Sequence, residues 1–263
     1  MTQSEKIAGI REGLRVYVSA GANGIGRKIA DGFIAHGARV LVSDVDPSAL
    51  EDFRSTHPEH HAIEGHAGVY ADVTSIFRQV GKKMGGLDVL VNNAGIAGPT
   101  AAVEDIDPAD WQQTIDINLS GQFFAAKHAV PLLKQAGDGA MINISSVAGR
   151  LGYAYRLPYA ATKWAIVGMT ESLSIELGPF GIRVNAILPG IVEGPRIDKV
   201  IQARADEVGL PFDEMRQQYL DKTALGRMVS PVDIADMALF LCSPMGRNVS
   251  GQALSVCGHV TTL

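Results

Sequence analysis

Tyr159-Ala160-Ala161-Thr162-Lys163 sets a phenol four residues before an ammonium, and Ser146 stands thirteen residues upstream of the tyrosine. Four residues is about one helical turn, so on a helix the two side chains share a face. A neighbouring positive charge favours the ionised phenol, and a tyrosine so perturbed can exchange a proton near neutral pH. The hydroxyl of Ser146 can hold a substrate oxygen against that phenol. Together they describe an acid–base site for an alcohol or a carbonyl. Taken alone, the Tyr/Lys pair also fits an ordinary solvated helix face, so the rest of the chain has to decide.

The elements that must position these groups follow from hydrophobic patterning. Short apolar runs at 14–19, 39–43, 87–91, 140–144 and 183–188 read as strands, and 24–36 reads as the first helix of several that separate them. Continuous Val/Ile/Leu strands between helices predict an α/β fold, a Rossmann-type doubly wound parallel sheet with helices on both faces. No Pro/Gly/Ser-rich linker and no fixed-period repeat divides residues 1–263, so one domain is expected. One segment breaks the rhythm. Residues 193–227 are charged and helix-forming, with no strand candidate, and they follow the last long strand. Ligands of open α/β sheets sit outside the carboxyl ends of the strands, so this segment is expected to form a small helical substrate lid.

Composition removes other classes. Hydrophobic residues make up 46% of the chain, charged ones 19%, and the formal net charge is −5. That balance suits a folded domain and disfavours nucleic acid or an anionic membrane surface as the main partner. No apolar run approaches the ~18 residues of a membrane span. The opening residues 1–6 lack the basic-then-apolar order of a secretory signal, so a cytoplasmic protein is expected. Cys242 and Cys257 provide neither a disulfide framework nor metal-ligand spacing. His57, His60 and His61 lie in a polar loop without supporting Cys or carboxylate ligands, and no metal is expected. Trp111 and Trp164 read as packing residues on long helices.

Between the first strand and the first helix runs Gly21-Ala22-Asn23-Gly24-Ile25-Gly26. Glycines there let the backbone approach a phosphate, and the helix N-terminus adds amides and a favourable dipole. The spacing is not the G-x-G-x-x-G fingerprint. Asp44 ends the second strand, twenty residues after Gly24, where a carboxylate accepts hydrogen bonds from an adenosine ribose. The same carboxylate repels a 2′-phosphate, and no Arg or Lys occupies the glycine loop. NAD is therefore expected rather than NADP.

With these residues assembled, the chain resembles the short-chain dehydrogenase/reductase family over about residues 14–258. The resemblance includes the glycine loop, Asp72-Val73 after the third strand, and Asn92-Asn93-Ala94-Gly95 after the fourth. It continues through Asn118, Ser146, the Tyr159/Lys163 pair and Pro189-Gly190. It implies that Tyr159 is the general acid/base, that Lys163 lowers its pKa and binds the nicotinamide ribose, and that Ser146 orients the substrate oxygen. By the same resemblance Asn118 holds a proton-relaying water. Asp72 and Val73 meet the adenine, Asn93 stabilises the sheet centre beside the cofactor, and Ile191 lies by the carboxamide. The helices around Asn118 and Tyr159 form the core of a homotetramer in relatives. There are departures: Ser19 and Ala20 replace the family's Thr-Gly, Gly194 replaces a frequent threonine, and 256–259 read Val-Cys-Gly-His. An alanine at position 20 suits a tight turn where its φ is negative.

Arg156 precedes Tyr159 by three residues and is expected near the mouth of the site. The 193–227 segment adds Arg196, Arg204 and Arg216, with Arg227 at its end in a Gly-Arg turn. Guanidinium groups converging on a pocket suit a carboxylate or sulfonate, and relatives that handle hydroxy acids carry similar arginines. An anionic small-molecule substrate, a hydroxy or keto acid or a sugar acid, is expected. The opposing reading pairs these arginines with Glu193, Asp198, Asp206, Glu207, Asp213 or Glu214 on a solvated surface. An oxoacyl-thioester reductase, a neutral polyol dehydrogenase and a non-catalytic nucleotide sensor are the rival functions. Asp44 counts against the first, and the intact Ser/Tyr/Lys set against the last.

Overall fold

Val16, Val18, Val40 and Val42 point to one face of a sheet, and Tyr17 and Leu41 to the other, because side chains alternate along a strand. The computed structural model describes residues 9–263. Its seven strands are β1 (Arg15–Ser19), β2 (Arg39–Asp44), β3 (His61–Glu64), β4 (Val89–Asn92), β5 (Gly139–Ile144), β6 (Ile182–Pro189) and β7 (Ala253–Val256). All pairs are parallel, in the order β3-β2-β1-β4-β5-β6-β7. The order reverses between β1 and β4, and at such a point an open sheet leaves a crevice at its carboxyl edge.

Helices α1 (Gly24–Ala35) and α9 (Pro231–Cys242) close one face through Ile29, Phe33, Ile234 and Leu239. On the other, α3 (Tyr70–Met84) and α5 (Gly121–Ala136) pack Ile76, Val80, Ala129 and Leu133 on Leu90 and Met141. Helices α2 (Pro47–Thr56) and α6 (Leu157–Leu177) complete the layers. Between α4 (Pro108–Ile115) and α5, residues Asp116–Ser120 form one π turn, a widening that often marks a functional position. Residues 193–227 hold α7 (Pro195–Val208) and α8 (Phe212–Asp221), with no regular strand between them. Ile201, Ala205 and Met215 of these helices form a third apolar cluster with Val147, Ile191 and Val260. Among the described residues no helix is long and apolar enough to cross a membrane.

The five strands expected from apolar runs are present. Two edge strands were not legible: β3 reads His-Ala-Ile-Glu and β7 is only half-buried, so neither carries a continuous apolar run. That omission displaces one expected site. Strand β3 ends at Glu64, and Asp72 and Val73 fall in the first turn of α3. Asp72 Oδ2 accepts the His66 amide at 2.9 Å, while Val73 is buried in the core. Neither borders the cavity at the carboxyl edge of the sheet, so neither is placed to meet an adenine there. Asp72 instead braces the turn that follows β3.

A second correction concerns Ala20, which takes a positive φ of 47°. Its surroundings hold it there. Ser19 Oγ accepts the Asn93 and Ala94 amides at 3.0 Å each, and Asn93 Nδ2 donates to the carbonyls of Ser19 (3.1 Å) and Ala20 (2.9 Å). Strain persists where neighbours over-determine the conformation. Ala20→Gly is expected to raise stability by about 0.5–1 kcal/mol, seen as a rise of roughly 1–3 °C in Tm. A fall in Tm would mean that the methyl packs better than it strains.

Candidate active site

Strand β5 and helix α6 bring the chemistry together. Lys163 is 4% exposed, and its Nζ donates to the Ile144 carbonyl at the end of β5, 2.9 Å away. Ser145 Oγ donates to the Lys163 carbonyl at 2.8 Å, so the first of the adjacent serines fastens α6 to the sheet. The second, Ser146, borders the cavity and accepts only the Ala148 amide, at 3.2 Å. Both serines border the cavity, but Ser145 Oγ is spent on α6, whereas Ser146 Oγ donates to no protein group among the described residues. Tyr159 borders the same cavity, its ring centroid 5.5 Å from Lys163 Nζ. Burial first, and the Arg196 charge second, push the Lys163 pKa down from 10.5 to about 7.

Asn118 lies in the π turn and is fully buried. Its Oδ1 accepts the Ile96 amide at 2.7 Å, and its Nδ2 donates to the Ile96 carbonyl at 3.0 Å and to Thr162 Oγ1 at 3.2 Å. It therefore splints the loop after β4 against α6. A Cβ on Gly95 would stand 3.3 Å from Asn118 Oδ1 and 3.6 Å from Lys163 Nζ, which puts both on one wall.

At the other end of the cavity lie Asn23, Gly24, Ile25 and Asp44, with Asn93 and Gly95 beside them. Asn23 caps α1, its Oδ1 accepting the Gly24 amide at 2.7 Å. Gly21, Gly26 and Ala94 do not border the cavity and act by packing. A Cβ on Gly26 would overlap the Ala20 carbonyl and Asn93 Nδ2, and one on Gly21 would come within 2.7 Å of Val42 Cγ1. Asp44 Oδ2 accepts the Ala22 amide at 3.2 Å, and Oδ1 accepts those of Val45 (2.8 Å) and Asp46 (3.3 Å). Pro189, Gly190 and Ile191 line the roof. A Cβ on Gly190 would reach Cys257 Cα and Cβ at 2.7 Å, so this close approach requires glycine at 190. Gly194, at φ 131°, occupies a backbone conformation that the family's threonine would strain. These features, a glycine loop opening a helix and a carboxylate at a strand end, fit a dinucleotide.

The substrate end is where sequence reasoning was least complete. Arg156 is only 6% exposed; its Nη2 donates to the Ala97 carbonyl at 2.8 Å. Its Nε is buried without a hydrogen-bond partner. Its Cζ lies 5.4 Å from the Tyr159 ring centroid and 5.3 Å from that of Tyr153. Arg196 also borders the cavity, whereas Arg204 does not; Arg204 acts on Tyr219 and Lys222 by its charge. Arg216 and Arg227 are exposed. Tyr153, Tyr219 and Lys222 complete the walls and carried no sequence signal, because no fixed spacing ties them to the Tyr/Lys pair. The cavity holds about 480 Å³. Among the histidines, His57 Nε2 pairs with Asp31 at 2.9 Å and His60 Nδ1 accepts the Val40 amide at 3.2 Å.

Known proteins resemble this chain in sequence and fold. A family model described as enoyl-(acyl carrier protein) reductase matches residues 19–261. Trans-4-hydroxycyclohexanecarboxylate dehydrogenase of Sinomonas cyclohexanicum is 36% identical over 258 residues, covering 93% of this chain and 91% of the relative. D-beta-hydroxybutyrate dehydrogenase of Cupriavidus necator is 33% identical over 251 residues, covering 94% and 97%. The crystal structure of a variant actinorhodin polyketide ketoreductase with NADPH superposes with a TM-score of 0.90 at 30% identity, covering 95% of this chain and 98% of that one. Likeness of this extent in both sequence and fold identifies the chain as a member of the short-chain dehydrogenase/reductase family, an oxidoreductase of that kind.

Proposed function

We propose that this chain is an NAD-dependent dehydrogenase that reversibly oxidises a secondary alcohol carrying an acid group. The observation that carries the acid is the Nε of Arg156, buried without a partner beside Tyr159 in the wall of the cavity. A buried guanidinium N–H left unpaired is unfavourable, and a carboxylate offers the paired acceptors that fit it. Two relatives, named for a hydroxycyclohexanecarboxylate and for hydroxybutyrate, act on hydroxy acids, which supports the same class here.

A bound dinucleotide would accept the hydride at its nicotinamide, and Asn23, Gly24, Ile25, Asn93, Gly95, Pro189, Gly190 and Ile191 would hold it, with Asp44 toward the adenosine ribose. The remaining work belongs to the chain. Ser146 Oγ orients the substrate hydroxyl, and Tyr159 Oη takes its proton as the carbinol becomes a carbonyl. Lys163 favours the charged phenol and binds the ribose, and Asn118 supports the water through which Lys163 exchanges protons with solvent. Arg156 fixes the acid end, so that the reacting carbon meets Tyr159 and Ser146 in one pose. Helices α7 and α8 act as the lid. The exposed apolar side chains of Phe123 on α5 and Trp164 and Ile175 on α6 suit a homotetramer, in keeping with a cytoplasmic enzyme.

NADH formation is measured with NAD and with NADP, on hydroxy acids matched to their methyl esters. Turnover with NAD and acids is expected, and Arg156→Ala should raise KM for acids by about 30–300-fold while changing that for esters less than threefold. Equal effects on both would remove the acid. Preference for NADP and neutral ketones would favour the oxoacyl-thioester or ketoreductase reading, to which the NADPH-bound neighbour points.

A further inference from the structure

Four cations border the cavity: Arg156, Lys163, Arg196 and Lys222. Three have evident engagements there. Arg156 is tied to Ala97 between two tyrosine rings, Lys163 to Ile144, and Lys222 lies 5.1 Å from the Tyr219 ring centroid. Arg196 differs. It projects from the first turn of α7, exposed, with only a long contact of 3.5 Å from Nη1 to the Gly95 carbonyl. Among the described residues no carboxylate lies within 4.0 Å of it, although Glu193 and Asp44 border the same cavity.

Its position lies between the catalytic lysine and the nucleotide end. Gly95 belongs to the loop after β4, two residues beyond Asn93, which is hydrogen-bonded to the start of the glycine loop through Ser19 and Ala20. A Cβ on Gly95 would also stand 3.6 Å from Lys163 Nζ, so Arg196 lies over the loop that runs between the catalytic lysine and the glycine loop. The charge balance there is incomplete. A dinucleotide's diphosphate carries two negative charges, and the N-terminus of α1 offers about half a positive charge. The glycine loop holds no Lys or Arg, and Asp44 at its side adds a negative charge.

We propose that Arg196 binds the nicotinamide-side phosphate of the dinucleotide, rather than the substrate acid, and so draws the first turn of α7 down onto the cofactor. This rests on the dinucleotide reading above and moves Arg196 from the substrate set to the cofactor set. A guanidinium presents parallel N–H groups to phosphate oxygens and forms charge-assisted bonds where the amides of the glycine loop leave one flank open. The two arginines then serve different ligands, Arg156 the acid and Arg196 the cofactor.

Calorimetric binding of ADP-ribose and of AMP to the full chain tests the assignment without turnover. Arg196→Ala is expected to weaken ADP-ribose and NAD by about 10–50-fold and AMP by less than threefold, with Arg196→Lys in between. KM for the acid, measured at saturating NAD, should stay within twofold. Unchanged ADP-ribose affinity with a raised acid KM would return Arg196 to the substrate and overturn the proposal. Equal losses for AMP and ADP-ribose would also overturn it, since AMP lacks the phosphate assigned to Arg196. A wild-type chain that binds ADP-ribose, NAD and NADP not at all would remove the dinucleotide reading itself, an outcome distinct from an unaltered variant.

Discussion

Tyr159→Phe is expected to lower kcat/KM for alcohol oxidation by about 10³–10⁴-fold, with NAD affinity unchanged. The substitution removes one oxygen and keeps the ring, which stands between Arg156 Cζ at 5.4 Å and Lys163 Nζ at 5.5 Å. Packing and both cation–ring contacts therefore survive, and the loss reads the proton transfer alone. Ser146 and Lys163 remain in place, but an alcohol is a poorer base than a phenolate and the ammonium is held on the Ile144 carbonyl. Steady-state kinetics with calorimetric NAD binding check this. A loss of less than tenfold would assign the proton to another group.

The second large effect is on stability. Lys163→Met is expected to abolish turnover and yet to make the cofactor-free protein more stable, by about 2–4 kcal/mol at pH 6. The lysine is buried, and its pKa falls from 10.5 to about 7 on folding. Below pH 7 it is protonated both folded and unfolded, and the folded state bears the full penalty of a buried ammonium. Between pH 7 and 10.5 the unfolded chain binds a proton that the folded chain does not, so wild-type stability rises with pH across that window. The advantage of methionine is therefore largest below pH 7 and shrinks toward pH 10.5. The Ile144 carbonyl keeps the Gln122 Nε2 donor at 3.3 Å, so losing its second bond offsets less than about 1 kcal/mol. Urea denaturation at pH 6, 8 and 10 reads the trend; a difference that does not vary with pH would refute this account. Destabilising a fold to hold a reactive group is a familiar trade.

How far the sequence could be read depended on whether a residue's role is set by near neighbours in the chain. Ser146, Tyr159 and Lys163 obey fixed spacings imposed by one strand end and one helix, and the structure assembles them. The apolar strands were legible because each is buried on both faces. Edge strands β3 and β7 were not, since a half-solvated edge needs no continuous apolar run. Without the end of β3, Asp72 and Val73 read as nucleotide contacts when they belong to α3. The backbone of Ala20 escaped for a related reason. Its positive φ is imposed by Asn93, more than seventy residues away, and no local rule reports that. The arginines in residues 193–227 had numbers but no direction; only packing on Val147 and Ile191 turned Arg196 inward and left Arg216 outside.

Asp44 has a consequence for how this chain can change. Its two oxygens already accept three backbone amides, from Ala22, Val45 and Asp46. On the NAD reading proposed above, replacing it to admit a phosphorylated ribose would remove a repulsive charge and, in the same step, unfasten the glycine loop. On that reading, selectivity and loop integrity are written in one side chain. A lineage drifting between the two cofactors must first acquire a substitute brace, or pass through ancestors that bind both poorly. Asparagine, which keeps one acceptor oxygen and sheds the charge, is the stepping stone this geometry allows.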